Sequence, residues 1–252
     1  MSSLVTKLKV TIGSILANNT TGGIISSAFK GRIPFHNTKI DVSDPNINNH
    51  TKASIFWHFY ETDEVKYAQK YLTANEDFVE LGSSIGVMGS IVSQIQKSGK
   101  YIAVEANPKL INAIKTNFSI NRKANYTLLN KAVDYFNKTV SFSVNESNLV
   151  GQVDRTGSAT STVTVDAITL DEICIANNLT SYTLLSDIEG AEITFLLNDA
   201  AALSKCSKII IELHDTEYNG NDYSVNDMVQ LIIDHGFTII DQRSPVFVFQ
   251  KK

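Results

Sequence analysis

Phe78-Val-Glu-Leu-Gly-Ser-Ser-Ile-Gly-Val-Met-Gly89, followed closely by Tyr101-Ile-Ala-Val-Glu-Ala-Asn-Pro108, decides the fold. Phe78 to Leu81 is a short apolar run closed by a glycine, and beyond it Met88, Ile91, Val92 and Ile95 recur at helical spacing until Gly99. The spacing predicts a strand, a tight turn and a helix. Gly82 and Gly86 are expected to let the backbone pass close to a ligand, and the helix start beyond them offers free N–H groups. The second run, Tyr101 to Val104, ends in Glu105, a carboxylate placed to accept both hydroxyls of a ribose. Ala106 and Asn107 follow it and are assigned to the same pocket.

The loop spacing narrows the ligand. Dinucleotide sites read G-x-G-x-x-G, with the second glycine admitting a pyrophosphate, whereas this loop reads Glu80-x-Gly82-x-x-x-Gly86. The insert Ser83-Ser84-Ile85 suits a cofactor without phosphates. Glu80, immediately before the loop, would oppose a phosphate yet can help hold the ammonium of an amino acid through the local hydrogen-bond network. S-adenosylmethionine has that ammonium, a ribose diol and no phosphate, and is the expected cofactor. A strand-turn-helix glycine loop that serves packing alone remains the competing reading.

The chain has 252 residues, 43% of them hydrophobic, with four prolines, enough for one sizeable core. The expected division is an N-terminal extension over 1–53 and a single main domain over 54–252. A net charge of -4 and a pI near 5.7, with no dense Lys/Arg block, give no drive toward nucleic acid, so such a substrate is disfavoured. Cys174 and Cys206 are too few and too isolated for a disulfide framework or a cysteine zinc site and read as small buried hydrophobes in a cytoplasmic protein. Triplets such as Asn18-Asn19-Thr20 and Asn145-Glu146-Ser147 read as chance matches to glycosylation sites. No apolar run is long enough to cross a bilayer.

Leu4, Leu8 and Ile15 with Val5, Ile12 and Leu16 form a candidate helix stripe, either packed on the domain or facing a membrane or partner. Asn18-Asn-Thr-Thr-Gly-Gly23 reads as a loop, and Gly31 to Asn49 as irregular chain with one short strand near Lys39 to Val42. Tyr60-Glu61-Thr62-Asp63-Glu64 opens a helix with acids at its positive end. After residue 78 strands and helices alternate: Asn107 and Pro108 start a helix, Tyr126 to Leu129 forms a third strand, and the Gly/Ser/Thr-rich stretch between Thr139–Val144 and Thr162–Val165 is a hairpin excursion. Leu184 to Asp187 and Lys208 to His214 are buried strands with polar ends at one sheet edge, where ligands sit in open α/β folds. A helix around Val225 to His235 precedes two strands joined through Arg243-Ser244-Pro245, too short a link for anything but an antiparallel pair. The predicted class is α/β: a Rossmann-like, seven-stranded, mostly parallel sheet with helices on both faces and a C-terminal antiparallel hairpin.

This arrangement resembles the FkbM family of class I S-adenosylmethionine-dependent methyltransferases. The resemblance rests on Glu80-Leu-Gly-Ser-Ser-Ile-Gly86, Val104-Glu-Ala-Asn-Pro108, Asn130-Lys-Ala-Val133, Val165-Asp-Ala-Ile-Thr-Leu-Asp171, Ser186-Asp-Ile-Glu-Gly-Ala-Glu192 and Ile211-Glu-Leu-His214, with Tyr60-Glu61 similar to a leading Tyr-Glu pair. Glu80 stands where Asp is commoner and Ser83-Ser84 where Ala-Asn is usual. The resemblance implies methyl transfer to an oxygen, typically a hydroxyl of a sugar, glycan or other natural product.

His214 is the first candidate for general base, because a neutral imidazole can act near pH 7, and Asp187 and Glu189 come next. A hydrogen-bonded histidine at a strand end is the competing reading. Asp187 also belongs to the cofactor set, with Lys131 and Ala132 on the adenine side. Glu212 alternates with His214 on its strand, and the acids at this edge can grip an ammonium or position a hydroxyl. Asp187, Glu189 and Asp215 can offer oxygens to a divalent cation, but no ligand spacing demands one, and none is expected. Two other functions compete: a nicotinamide-dependent oxidoreductase, which should show the tighter glycine spacing, and a non-catalytic cofactor-binding protein. The sequence leaves a homo-oligomer open.

Overall fold

The computed structural model describes residues 16–121, 126–144, 151–153 and 162–252. All of the stripe proposed over Leu4 to Leu16 except Leu16, and the triplet at Asn145, lie outside the described residues. The elements run α1 (Asn19–Ala28), β1 (Arg32–Phe35), β2 (Thr38–Asp41), α2 (Asn49–Phe56), α3 (Thr62–Tyr71), β3 (Phe78–Leu81), α4 (Val87–Ile95), β4 (Tyr101–Val104), a 3-10 turn at Pro108–Leu110, α5 (Ile111–Asn121), β5 (Thr127–Leu129), β6 (Ala132–Val133), β7 (Thr139–Val144), β8 (Gly151–Val153) and β9 (Thr162–Ile168). There follow α6 (Leu170–Ala176), β10 (Tyr182–Ser186), α7 (Glu192–Asn198), α8 (Ala200–Lys205), β11 (Cys206–Glu212), β12 (Thr216–Tyr218), β13 (Asn221–Tyr223), α9 (Val225–Asp234), β14 (Phe237–Arg243) and β15 (Val246–Lys251).

Seven strands form the main sheet in the order β14-β15-β11-β10-β3-β4-β5. β11, β10, β3, β4 and β5 are mutually parallel, and β15 joins β11 and β14 antiparallel. Every residue of β3, β4 and β10 is buried, as expected for strands covered on both faces. Alternation along each strand divides the core in two. Phe78, Tyr101, Ala103, Leu185 and Ile210 face one hydrophobic cluster, and Val79, Ile102, Val104, Leu184 and Ile209 face the other. The chain leaves β3 toward β4 on one side and returns to β10 on the other, so the strand order reverses at β3. The crevice at the carboxyl ends of these strands is where an open α/β sheet takes a ligand. β6, β9, β7 and β8 make a separate four-stranded sheet in which β7 pairs antiparallel with β8 and β9, while 145–150 and 154–161 of the expected excursion lie outside the described residues.

Two readings of the N-terminal third need correction. Asn18 to Gly23 is not a loop: Asn18 Oδ1 accepts the N–H groups of Thr20 and Thr21, and with Thr21 it completes a capping box that starts α1. Gly22 sits where α1 crosses α2, and a Cβ there would lie 1.7 Å from the Asn49 carbonyl oxygen, so composition suggesting a turn instead serves close helix packing. The stretch from Gly31 to Asn49 is likewise not irregular with one strand. β1 and β2 form a hairpin that buries Ile33, Phe35 and Ile40, and Pro34 is tolerated because β1 is an edge strand. Asn48 then caps α2 by accepting the Thr51 N–H at 2.8 Å. Ile33, Phe35, Ile40, Ala53 and Ile55 share the cluster that also holds Phe78 and Tyr101, and α2 runs across position 53. No helix among the described residues is long and apolar enough to cross a membrane.

Candidate active site

A cavity of about 620 Å³ opens at the carboxyl ends of the parallel strands. Of the residues expected to bind a cofactor, Gly82, Ser84, Glu105, Ala106, Lys131, Ala132 and Asp187 line it, as does Glu189 from the catalytic set. Glu105, at the end of β4, is 7% exposed. Its Oε2 accepts the Ser84 N–H at 2.8 Å and its Oε1 the Asn107 N–H at 2.7 Å. Each carboxylate oxygen keeps a second lone-pair site for a ligand hydroxyl. Burial raises the Glu105 carboxyl to about 7, against the lowering effect of these N–H groups. Asn130 Nδ2 donates to the Glu105 and Ala106 carbonyls at 2.8 and 3.0 Å, which fixes the chain leaving β5.

Other predicted residues act one step away from that wall. Ser83 Oγ donates to Glu80 Oε2 at 2.9 Å, and Tyr101 donates to the same oxygen at 2.6 Å, so both acid and serine are committed inside the protein. Asn107 supplies its backbone N–H and caps the 3-10 turn. The glycines also serve packing, which the sequence reading did not include. A Cβ on Gly82, at φ +84°, would lie 1.9 Å from the Asp187 carbonyl oxygen, and one on Gly86 would meet the Phe118 ring at 3.0 Å. Both are needed for packing between chain segments, and Gly82 alone also borders the cavity.

The opposite end of the cavity is built from acids. Glu61 and Glu64 come from the start of α3, Asp187 from the end of β10, Glu189 from the loop before α7 and Glu212 from the end of β11. Tyr60 joins them and shares a 2.9 Å hydrogen bond with Ser84 Oγ. Among the described residues Lys131 is the only lysine or arginine on the wall. Glu61, Ser84 and Glu189, all non-glycine, hold φ values of +45°, +48° and +54°. Such strained backbone persists where surrounding structure enforces it and is concentrated at functional sites.

Beneath this end lies a smaller cavity of about 30 Å³, lined by Glu61, Glu64, Glu80, Ser186 and Asp187 among others. Glu61 Oε2, Ser186 Oγ and Asp187 Oδ1 are buried there without a hydrogen-bond partner. Unpaired buried acceptors are costly, so this floor is suited to a cationic donor. Burial, then the fields of Glu212 and Glu189, raise Asp187 to about 8, and burial followed by a hydrogen bond with Glu212 raises Glu64 to about 8. Burial and the neighbouring acids hold Glu61 well above the usual carboxylate range.

His214 is half-buried and does not itself line the cavity. Its Nε2 lies 3.4 Å from Glu212 Oε1 and 3.6 Å from Glu189 Oε2. The hydrogen bond with Glu212 raises His214 to about 9, against the lowering effect of burial. The expectation of a neutral imidazole near pH 7 is therefore corrected: in the free protein Glu212 keeps it protonated. The cation-spaced donors also differ from those expected. Asp187, Glu212 and His214 offer atoms within 4.8 Å of one another, whereas Asp215 is exposed and accepts the Val225 N–H at 2.8 Å as part of the entry to α9. The acids of α3 escaped the sequence reading because their placement at a helix start has a sufficient local explanation in the helix dipole.

Residues 80–239 match the family model described as the methyltransferase FkbM domain. No curated protein sequence matches the chain. Among solved structures, a putative SAM-dependent methyltransferase from Streptococcus mutans superposes with a TM-score of 0.52 at 13% identity, over 87% of this chain and 55% of that one. A putative tRNA (m1A22) methyltransferase from Streptococcus pneumoniae, in complex with S-adenosyl-L-methionine, gives 0.45 at 11% identity over 75% and 72%. A methyltransferase from Pyrococcus furiosus gives 0.42 at 13% identity over 91% and 93%.

Proposed function

The chain belongs to the FkbM methyltransferase family, whose cofactor is S-adenosylmethionine, and from that premise we propose that it methylates a hydroxyl of a sugar, glycan or related natural product. The family sets aside the nicotinamide alternative. The observation that carries the reading is one cavity with two unlike sides: Glu105, fixed by two backbone N–H groups, and the acid group of Asp187 and Glu189 backed by His214. The chain's own residues fit the cofactor. Glu105 offers a free lone-pair site on each oxygen, Lys131 and Ala132 wall the adenine side, and the unpartnered oxygens of Glu61, Ser186 and Asp187 suit an ammonium.

When bound, S-adenosylmethionine supplies a methyl group already activated on a sulfonium. The protein's work is then chiefly alignment of the acceptor, which can provide about 7 kcal/mol or more of the rate enhancement. Asp187 and Glu189 hold the hydroxyl, and its proton passes to the group of carboxylates around His214, the most basic member. Proton acceptance of this kind contributes roughly 10²-fold. A phosphodiester would bring negative charge among buried acids that already resist ionisation, with Lys131 the one lysine or arginine among the described wall residues, which supports a neutral acceptor over nucleic acid. The free, buried Cys174 and Cys206 support a reducing, cytoplasmic setting.

The test is transfer from methyl-labelled S-adenosylmethionine to a panel of sugars and glycosides, with RNA as the competing acceptor and the product bond assigned by NMR. An O-methyl ether, diminished on the order of 10²-fold in His214→Gln, is the expected result. Methyl transfer to RNA with none to any hydroxylated small molecule would sink the acceptor assignment.

A further inference from the structure

The turn between α2 and α3 lies before the residues matched to the family and carries Phe59, a bulky apolar side chain that is 43% exposed on the wall of the main cavity. Its backbone is held in place. His58 N–H donates to the Ile55 carbonyl at 3.1 Å and Phe59 N–H to the Ser54 carbonyl at 2.8 Å, with His58 at φ +59°, the pair of bonds that makes a Schellman ending on α2. The apolar residue of such an ending commonly packs back onto its own helix. Phe59 instead forms part of the cavity wall.

The residues around it are committed to the protein. Trp57 meets the Phe56 ring edge-on with centroids 5.0 Å apart, and His58 stacks on Phe35 of β1 at 5.1 Å. Tyr60 shares a hydrogen bond with Ser84 Oγ in the loop after β3, and Glu61 lines the small lower cavity together with Asp187. Asp63 pairs with Arg243 at 3.0 Å, which ties the start of α3 to the β14–β15 turn, and Pro245 and Val246 of that turn line the same cavity. Among the described residues no aromatic ring pairs with Phe59.

We propose that Phe59 is the platform for the acceptor, and that the acceptor is a pyranose sugar lying with one C–H face on the Phe59 ring and its hydroxyl edge toward Asp187 and Glu189. This deepens the hydroxyl-methylation reading and rests on it. A sugar ring has two unlike parts, a rim of hydroxyl donors and a face of C–H groups. The cavity offers a counterpart to each: carboxylates accept from hydroxyls, and the face of an aromatic ring is the negative side of its quadrupole, which attracts C–H groups. Small-molecule sites combine aromatic contact area with a few polar groups that fix orientation, and an aromatic side chain supplies that area at low conformational cost. A linear polyol has the hydroxyls without a fixed face and would leave Phe59 in contact with water.

Saturation-transfer NMR on the full chain loaded with S-adenosylhomocysteine tests this without turnover. The probes are the methyl glycosides of glucose, galactose, mannose and rhamnose, with sorbitol as the control that has hydroxyls but no ring. Saturation should reach the ring C–H protons of at least one glycoside and not those of sorbitol. Phe59→Ala should weaken that glycoside roughly three- to tenfold in a titration while S-adenosylhomocysteine binds unchanged, and Phe59→Tyr, which keeps the ring, should retain it. Phe59→Leu, which keeps apolar bulk without the ring, is the second variant and should weaken it in the same direction. Glycoside binding that survives in full in both ring-less variants, that sorbitol matches, or that is absent from the loaded wild type overturns the proposal. If the wild type does not bind S-adenosylhomocysteine, the methyltransferase reading falls together with it, and methyl transfer to RNA alone removes the acceptor reading beneath it; each is distinct from a protein that binds glycosides without using Phe59.

Discussion

Glu105 and Asp187 end the strands on either side of β3 and line the same cavity, and burial pushes both upward, to about 7 and about 8. Their surroundings differ. Glu105 accepts two backbone N–H groups, whereas Asp187 keeps Oδ1 unpartnered and feels Glu212, Glu189 and Glu192. The Glu105 end of the cavity is thus organised by the backbone, because amides are fixed dipoles that cost no reorganisation. At the acidic end no such backbone donor among the described residues reaches Asp187 Oδ1. A site divided in this way selects for ligand charge at one end and ligand shape at the other.

Gly82 joins the two halves, so the largest effect should come from Gly82→Ala. Its Cβ would strike the Asp187 carbonyl at 1.9 Å and strain a φ of +84°. The expected cost is about 3 kcal/mol or more in denaturant unfolding, with loss of S-adenosylhomocysteine binding. Next, on the proposed reading Glu105 accepts both ribose hydroxyls, so Glu105→Ala should weaken binding by roughly 10²-fold in calorimetry while the fold persists. A weaker effect than for Lys131→Ala would reverse the roles assigned to the two walls.

The acidic half is tested by pH. Glu105, Asp187 and Glu64 have folded values raised above the ordinary 4.5, 3.8 and 4.5, so the folded state holds protons that the unfolded chain has lost, and stability falls as pH rises toward 7 and 8. The raised value of His214 acts in the same direction: its contribution, full below 6.5, is lost as pH rises through about 9. The free protein's Tm should therefore fall between pH 5.5 and 9, and S-adenosylmethionine should raise it more at pH 8 than at pH 6. In Glu212→Gln the partner that holds the His214 proton is gone, so the limb on which activity rises as His214 loses its proton should move to lower pH. A limb that stays in place would show that another group sets it.

The sheet was legible because β3, β4, β10 and β11 are apolar runs ending in polar residues, and burial on both faces leaves few other solutions for such runs. Glu105 was legible for the same reason, standing at a strand end. Glu64 was not, since nothing local distinguishes an acid that serves a helix dipole from one that lines a cavity with a carboxylate 148 positions later in the chain, at Glu212. Gly22 and Pro34 misled for a related reason: each breaks a regular element in isolation, but a helix crossing and a sheet edge give each a place. His214 was placed correctly at a strand end, yet its charge depends on Glu212 and Glu189, which the fold brings together and the sequence does not show to be adjacent.

The smallest effect belongs to Lys131, and it bears on whether the two halves feel each other. Its backbone N–H donates to the Glu105 carbonyl at 3.2 Å, a bond that Lys131→Ala leaves intact. Only the ammonium and its stem are lost from the side proposed for adenine, a change of about 0.5–1 kcal/mol for a partly exposed cation near a ring. S-adenosylhomocysteine should bind roughly two- to fivefold more weakly in consequence. The wall also loses its sole lysine, and a more anionic cavity attracts a sulfonium more strongly, so S-adenosylmethionine should lose less affinity than the thioether. If both ligands weaken equally, the halves are electrostatically independent, and ligand charge is read by the acids around Asp187 alone.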